Sequence, residues 1–309
     1  MISEHSSKSL GVTVASTQFA HSNGLRMAYE TFGDAHNPTL LLVAGLYNQL
    51  VRWPLSFCQE LADRGFHVIR FDNRDIGLTD KMDGQAAPGL FKLFLMRRLG
   101  WRFKVPYQLE DMAADTIGLL DALGIQSAHI VGMSMGGMIS QIAAARYPDR
   151  ILSLTSIMST SGVRGVGTAS TKVILQMLKP RSKSQTALDI AVETWQMIGS
   201  PAYPQSDDEI RAVVVAEHKR SSNPAGYRRQ MAAISAAPNR VALLKSIKAP
   251  VLIIHGLQDC LVPVSGGIDT AKHIRHARLE LFDGMGHTLP EPLLSRFCDL
   301  IIENMAQAH

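Results

Sequence analysis

Residues 129–147 read HIVGMSMGGMISQIAAARY. A short β-branched run, His129–Met133, stops at a serine set between glycines, Gly132-Met133-Ser134-Met135-Gly136, and an alanine-rich segment follows to Tyr147. Strand, tight turn and helix in this order are the context in which a G-x-S-x-G pentapeptide displays a nucleophile. The residues two before and two after the serine must lack side chains, because the turn is too tight to hold them; Gly132 and Gly136 meet that condition. Ser134 is therefore expected in a strained backbone conformation, above a sheet and at the positive end of a helix.

Working outward, the same alternation repeats. Leu40–Ala44, His67–Asp72, Ile151–Met158, Val251–His255 and Arg278–Phe282 read as further strands. Their nearly continuous apolar character fits a parallel sheet covered on both faces. Trp53–Arg64, Leu109–Leu123, Met135–Tyr147 and Gly267–Ala277 are long enough for crossover helices, which makes the fold class α/β. Gly11–Gln18 and Leu25–Phe32 read as an antiparallel edge joined by a turn at Ser22-Asn23-Gly24. Two segments break the rhythm. Lys81–Tyr107 interleaves apolar and basic residues and predicts an amphipathic helix over the sheet, with a lipid-facing helix as the alternative. Ser161–Arg240 contains no evident sheet strand and reads helical through Leu175–Ile198 and again after Gln205. The expected organisation is a core of residues 1–160 and 241–309 carrying a helical cap or lid at 161–240.

A serine hydroxyl needs a base, and the base needs an orienting carboxylate. Both must lie at the strand ends where Ser134 is displayed. The strand Val251–His255 runs into Gly256-Leu257-Gln258-Asp259, and the last strand runs into Asp283-Gly284-Met285-Gly286-His287. The strand after the serine turn ends in Met158-Ser159-Thr160-Ser161-Gly162, without a carboxylate, which favours Asp259 as the acid. Asp283 is the competing orienter, although it shares a strand with His287. His255 reads as a buried, hydrogen-bonded residue, and His273 and His276 as a solvated helix face, since no third metal ligand accompanies them. An acyl-transfer site also needs donors for an oxyanion. The N–H of Met135 is one candidate and the N–H of Leu46, in Ala44-Gly45-Leu46-Tyr47-Asn48, the other. Gly45, Tyr47 and Met133 flank these positions and are candidate substrate-binding residues. The charges of Asp72, Arg74 and Asp75 read as structural ion pairs.

The 309 residues are 46% hydrophobic and 19% charged, which excludes global disorder. A net charge of +4 is too small to imply nucleic acid or a membrane surface. Three widely spaced cysteines, Cys58, Cys260 and Cys298, form neither a disulfide framework nor a metal motif. The polar N-terminus lacks the pattern of a secretory signal, and no apolar run reaches ~18 residues. The expected location is the cytoplasm, without stable membrane insertion.

With these residues in place, the sequence resembles the α/β-hydrolase superfamily. Val43-Ala44-Gly45-Leu46, Phe71-Asp72-Asn73-Arg74-Asp75-Ile76-Gly77, the Ser134 turn, His255-Gly256-Leu257-Gln258-Asp259 and Gly284-Met285-Gly286-His287 carry the likeness. Within it, the stretch Leu109–Asp115 looks like that of single-domain carboxylesterases related to aclacinomycin methylesterase. The resemblance implies an eight-stranded, mostly parallel sheet, a Ser134–His287–Asp259 triad and hydrolysis of a small-molecule ester without a cofactor. Short- to medium-chain esters are the expected substrates. Lactones, peracid formation and carbon–carbon bond hydrolysis use the same triad, and a non-catalytic binding protein is the remaining reading. Epoxide or haloalkane hydrolysis is disfavoured, because those relatives place Asp where Ser134 stands. One departure is Ala44, where many relatives carry histidine; the hydrogen bonds of that histidine must come from elsewhere.

Overall fold

The computed structural model describes residues 16–99, 104–170, 173–175 and 185–308. Its frame is one eight-stranded sheet, formed by β1 (Gln18–Ser22), β2 (Leu25–Phe32), β3 (Thr39–Val43), β4 (His67–Phe71), β5 (Ala128–Met133), β6 (Ile151–Ile157), β7 (Val251–Gly256) and β8 (Arg278–Phe282). The spatial order is β1-β2-β4-β3-β5-β6-β7-β8. β1 and β2 pair antiparallel to their neighbours, and every pairing from β4 through β8 is parallel. Residues of β3, β4, β5 and β7 are buried along their whole length. That is the outcome expected when helices cover both faces. Along β3 the side chains alternate: Leu41 and Val43 join one core cluster, Leu40 and Leu42 the other.

The first cluster lies under α3 (Leu109–Ala122) and α4 (Met135–Arg146), the second under α1 (Leu55–Asp63) and a C-terminal helix, Leu294–Met305. The last helix, Leu294–Met305, lies outside the expected elements. Its apolar residues Leu294, Phe297, Cys298, Leu300, Ile301 and Met305 all face inward, which seals the second face.

Three boundaries differ from expectation. The edge strand runs over Gln18–Ser22, not Gly11–Gln18, of which residues 11–15 lie outside the described residues. Asn23 and Gly24 hold φ of 49° and 78°, so a two-residue turn joins the strands and pairs Ser22 with Leu25. The expected helix Gly267–Ala277 is the shorter Ser265–Lys272, leaving His276 beyond it. The helix expected to end at Ile198 starts at Ala187, because Thr186 and Asp189 cap each other's backbone amides there. Residues 176–184 of that expectation lie outside the described residues.

Among the described residues, no strand occurs between β6 and β7. The chain instead forms α5 (Ala187–Ile198), α6 (Asp207–Arg220) and α7 (Pro224–Ala236) before α8 (Val241–Ser246). α5 and α6 share a small cluster of Val192, Ile210 and Val214. Buried or partly buried ion pairs fasten this segment to the core: Arg220 to Asp72 at 2.7 Å, Arg229 to Asp75 at 2.7 Å, and Arg52 to Glu217. Arg74 pairs with Asp115 of α3 at 2.6 Å. The charges of the Asp72–Gly77 loop are thus structural, as read from the sequence. The segment's two ends also meet, the Arg240 N–H donating to the Ser161 carbonyl at 2.8 Å. Within Lys81–Tyr107, α2 (Leu90–Leu99) packs on α7 rather than over the sheet, with Leu93 buried and Phe91, Leu95 and Leu99 exposed. Residues 100–103 lie outside the described residues. No helix among the described residues is long and apolar enough to cross a membrane.

Candidate active site

Ser134 stands between β5 and α4 at φ 54° and ψ −118°. A non-glycine residue in this region is strained and persists only where its surroundings leave no alternative. Its N–H donates to the Ile157 carbonyl at 2.9 Å, and its carbonyl accepts from Ser159 Oγ at 2.8 Å. A Cβ on Gly132 would lie 2.3 Å from the Gly136 carbonyl oxygen, and one on Gly136 would lie 2.1 Å from that of Val43. The first glycine makes room for the helix and the second for β3, so the two are needed for different reasons.

The structure brings Asp259 and His287 to this serine. Ser134 Oγ is 3.0 Å from His287 Nε2, and His287 Nδ1 is 2.6 Å from Asp259 Oδ2. Asp259 is 4% exposed and His287 8%. The other carboxylate oxygen of Asp259 accepts the N–H groups of Leu261 and Val262 at 2.9 and 2.8 Å. Burial alone would raise the carboxyl's pKa. The positive charge available on His287 and hydrogen bonds from His255 and His287 outweigh burial, and the pKa falls to about 2. An ionised Asp259 is acceptor only, so His287 carries its proton on Nδ1, and the free Nε2 lone pair faces the serine hydroxyl.

His255 is fully buried, and its Nε2 lies 2.7 Å from the Val262 carbonyl and 3.5 Å from Asp259 Oδ2. Since a carbonyl only accepts, the proton of His255 sits on Nε2 and also faces the acid. Asp283 does not join the group: it is exposed and accepts from Gln258 Nε2 at 2.9 Å. His273 and His276 bind the backbone carbonyls of Asp269 and Ala249.

On the other side of Ser134 lies the loop after β3. A Cβ on Gly45 would be 3.3 Å from Ser134 Cβ, so the backbone of this loop passes directly against the serine. Leu46 follows at once. Met135 opens α4, and the first amides of a helix have no acceptor within it. The Ala44 carbonyl accepts from Asn73 Nδ2 at 2.9 Å, a side-chain tether for this loop. The Tyr47 N–H donates to Gln230 Oε1 of α7 at 2.9 Å, and the Tyr47 ring meets Tyr227 edge-on at 5.4 Å. Fully buried Gln230 also donates to the Arg74 carbonyl. Met133 is 2% exposed and belongs to the second core cluster. Gln230 carried no signal in the sequence, because it acts through long-range contacts to two backbone groups; Asn73 stands within the Phe71–Gly77 motif, but nothing local marked its side chain as a tether.

A strained serine at a strand-to-helix turn, on the parallel sheet and beside a buried histidine and carboxylate, defines the class: an α/β protein with a hydrolase-type site. Residues 38–291 match the α/β hydrolase fold family, and the chain belongs to that family. It is 29% identical to rhodomycin D methylesterase DauP of Streptomyces sp. (strain C5), over 87% of this chain and 92% of that protein. It is 27% identical to 3-oxoadipate enol-lactonase 2 of Acinetobacter baylyi, over 82% of this chain and 84% of that one. The solved enol-lactonase of Burkholderia xenovorans LB400 superposes with a TM-score of 0.72 at 22% identity, covering 94% of this chain and all of that one.

Proposed function

We propose that this chain is a serine hydrolase of carboxylic esters, acting through an acyl-enzyme on short- to medium-chain substrates. The observation that carries the reading is the unbroken run from Ser134 Oγ through His287 to Asp259, at 3.0 and 2.6 Å. His287 Nε2 takes the hydroxyl proton as Ser134 Oγ attacks the ester carbonyl. Asp259 holds the imidazole tautomer and stabilises the imidazolium. The amides of Leu46 and Met135 receive the oxyanion. The tetrahedral intermediate collapses, and the alcohol leaves with the proton from His287. A water then gives its proton to His287 and attacks the acyl carbonyl, releasing the carboxylic acid and free Ser134.

Similarity to a methylesterase favours an ester whose alcohol is small, with the bulk of the substrate on the acyl side. Residues 161–240 are read as a cap over a core of 1–160 and 241–309, with Tyr47 and Tyr227 at its edge forming part of the substrate entrance. Similarity to an enol-lactonase supports a second reading, opening of a cyclic ester by the same steps. Cys58 and Cys298 are free thiols whose pKa burial pushes up to about 12, and free thiols fit a reducing cytoplasm.

The test is pre-steady-state release of p-nitrophenol from p-nitrophenyl butyrate, together with labelling by a fluorophosphonate. The parent protein shows a burst and is labelled. Ser134→Ala shows neither and loses at least ~10⁴-fold in kcat. Turnover by Ser134→Ala at the parent rate rules the mechanism out.

A further inference from the structure

A cap is ordinarily a cover, free to differ in position without touching the catalytic groups. Here residues 197–202, at the end of α5, are hydrogen-bonded to the very loops that carry the base and the acid. The His287 N–H donates to the carbonyl of Ile198, the last residue of α5, at 2.7 Å. The preceding amide, that of Gly286, donates to Ser200 Oγ at 2.9 Å. Ser200 Oγ lies 2.7 Å from Thr288 Oγ1. The Ala202 N–H donates to the Gly284 carbonyl at 3.1 Å. On the acid loop, Cys260 Sγ donates to the Met197 carbonyl at 3.4 Å. Ser200 is 5% and Thr288 6% exposed, so water does not substitute for these partners.

The packing is equally close. A Cβ on Gly286 would lie 2.0 Å from the Gly199 carbonyl oxygen, and one on Gly284 would lie 2.1 Å from Ala202 Cβ. Glycines at 284 and 286 therefore answer to the cap segment as well as to the loop's own turns. The base loop Gly284–Thr288 has the cap segment as a wall along its whole length.

We infer that Ser200 and the cap segment Met197–Ala202 position the catalytic base: they hold the His287 loop so that the imidazole stays in register with both Asp259 and Ser134. Ser200 is a positioning residue and touches neither substrate nor the reacting atoms. The end of α5 adds an electrostatic element. Its negative, carbonyl end abuts the residue that becomes cationic when it takes the serine proton. The inference rests on the triad reading above.

The consequence is a specific pH signature. Among the described residues, the His287 ring is hydrogen-bonded to Asp259, with His255 behind it, and to the Ser134 hydroxyl. Among the described residues, the cap segment meets the loop through the Ile198 carbonyl, the Ser200 hydroxyl and the Ala202 N–H, all uncharged, and Asp283 turns away to Gln258. A loosened loop lengthens the 2.6 Å contact to Asp259, which weakens the stabilisation of the imidazolium. The acid limb of kcat/KM, which reports loss of activity as the base is protonated in the free enzyme, then moves to lower pH.

The experiment compares Ser200→Ala and Thr288→Val with the parent, using p-nitrophenyl butyrate across pH 4–9, with folding checked by circular dichroism. Ser200→Ala leaves the Gly286 amide without its acceptor. It is expected to lower kcat by about tenfold, with KM within about twofold, and to move the acid limb down by roughly half a pH unit. Thr288→Val keeps the Gly286 bond and shows the same changes in smaller measure; should Ser200→Ala fail to fold, this variant decides. Folded variants with kcat and acid limb unmoved overturn the inference, even where stability drops, since a merely structural role moves only stability. The two readings fail separately. Activity surviving in Ser134→Ala sinks the triad, whereas a dead Ser134→Ala beside an unaltered Ser200→Ala sinks only the positioning role.

Discussion

Asp259 sits at the meeting point of four donors: two backbone amides on one oxygen and two imidazoles facing the other. Its charge is what the arrangement requires. An acceptor at that position forces the His287 proton onto Nδ1, while an amide would also offer donors and permit the opposite tautomer. Asp259→Asn is therefore expected to keep the fold and to lose about 10³–10⁴-fold in kcat at pH 7, with KM little changed. Steady-state kinetics on p-nitrophenyl butyrate checks it. A loss of under tenfold would mean that another carboxylate orients the base, and Asp283, bound to Gln258, is the residue to test next. At this scale, Ser134, Asp259 and His287 were readable from the chain because each closes a strand and strand ends share one rim. Ser200 was not readable. It meets Gly286 across 86 positions of sequence, and a serine after a helix has many ordinary uses.

Strands carry their own signature. The runs from β3 to β7 were located to within a residue or two, because a strand buried along nearly its whole length is apolar throughout and its pattern is local, and β8, half-buried at the far edge, was located as well. The edge hairpin was misplaced for the converse reason. An edge strand with exposed residues has weak periodicity, and only the positive φ of Asn23 and Gly24 sets its register. β5 nevertheless holds a polar residue, His129, 7% exposed and with Nδ1 2.8 Å from Ser153 Oγ of β6. Burial lowers its pKa to about 4. In the unfolded chain the value is about 6.5, so below that pH the unfolded state binds the extra proton. The contribution of neutral His129 is thus complete above pH 6.5 and is lost as pH falls through about 4, a swing of roughly 3 kcal/mol. Urea unfolding of the parent and of His129→Gln at pH 7.0 and 4.5 isolates it. The pH dependence should be flatter in the variant by roughly 2 kcal/mol; equal slopes would mean that His129 is solvated enough to titrate normally.

Taken as one body, the molecule joins its inserted helices to the sheet through charges that the core has buried. Asp75 accepts a two-pronged contact from Arg229 of α7, both bonds 2.7 Å, with the carboxylate fully buried and the arginine side chain 4% exposed. Burial acts to raise the Asp75 pKa, but the Arg229 hydrogen bonds, helped by the Met82 amide, hold it below the ordinary value. The same helix supplies Gln230, whose side chain holds both the Tyr47 amide and the Arg74 carbonyl. The 161–240 segment therefore shares its anchors with the loops beside Ser134, and releasing one anchor exposes an uncompensated charge in the core. Removing one partner of such a pair costs about 3–5 kcal/mol. Arg229→Leu is accordingly expected to lower the melting temperature by roughly 10 °C while the protein still unfolds in a single calorimetric transition. A separate early transition, with the main one unshifted, would show instead that the inserted helices melt on their own and that Asp75 is rehydrated without disturbing the sheet. The single transition is the expected outcome because α7 and the Ile198–Ala202 segment grip two separate parts of the site, the Tyr47 loop and the His287 loop. Neither grip can open without exposing buried polar groups of the core itself.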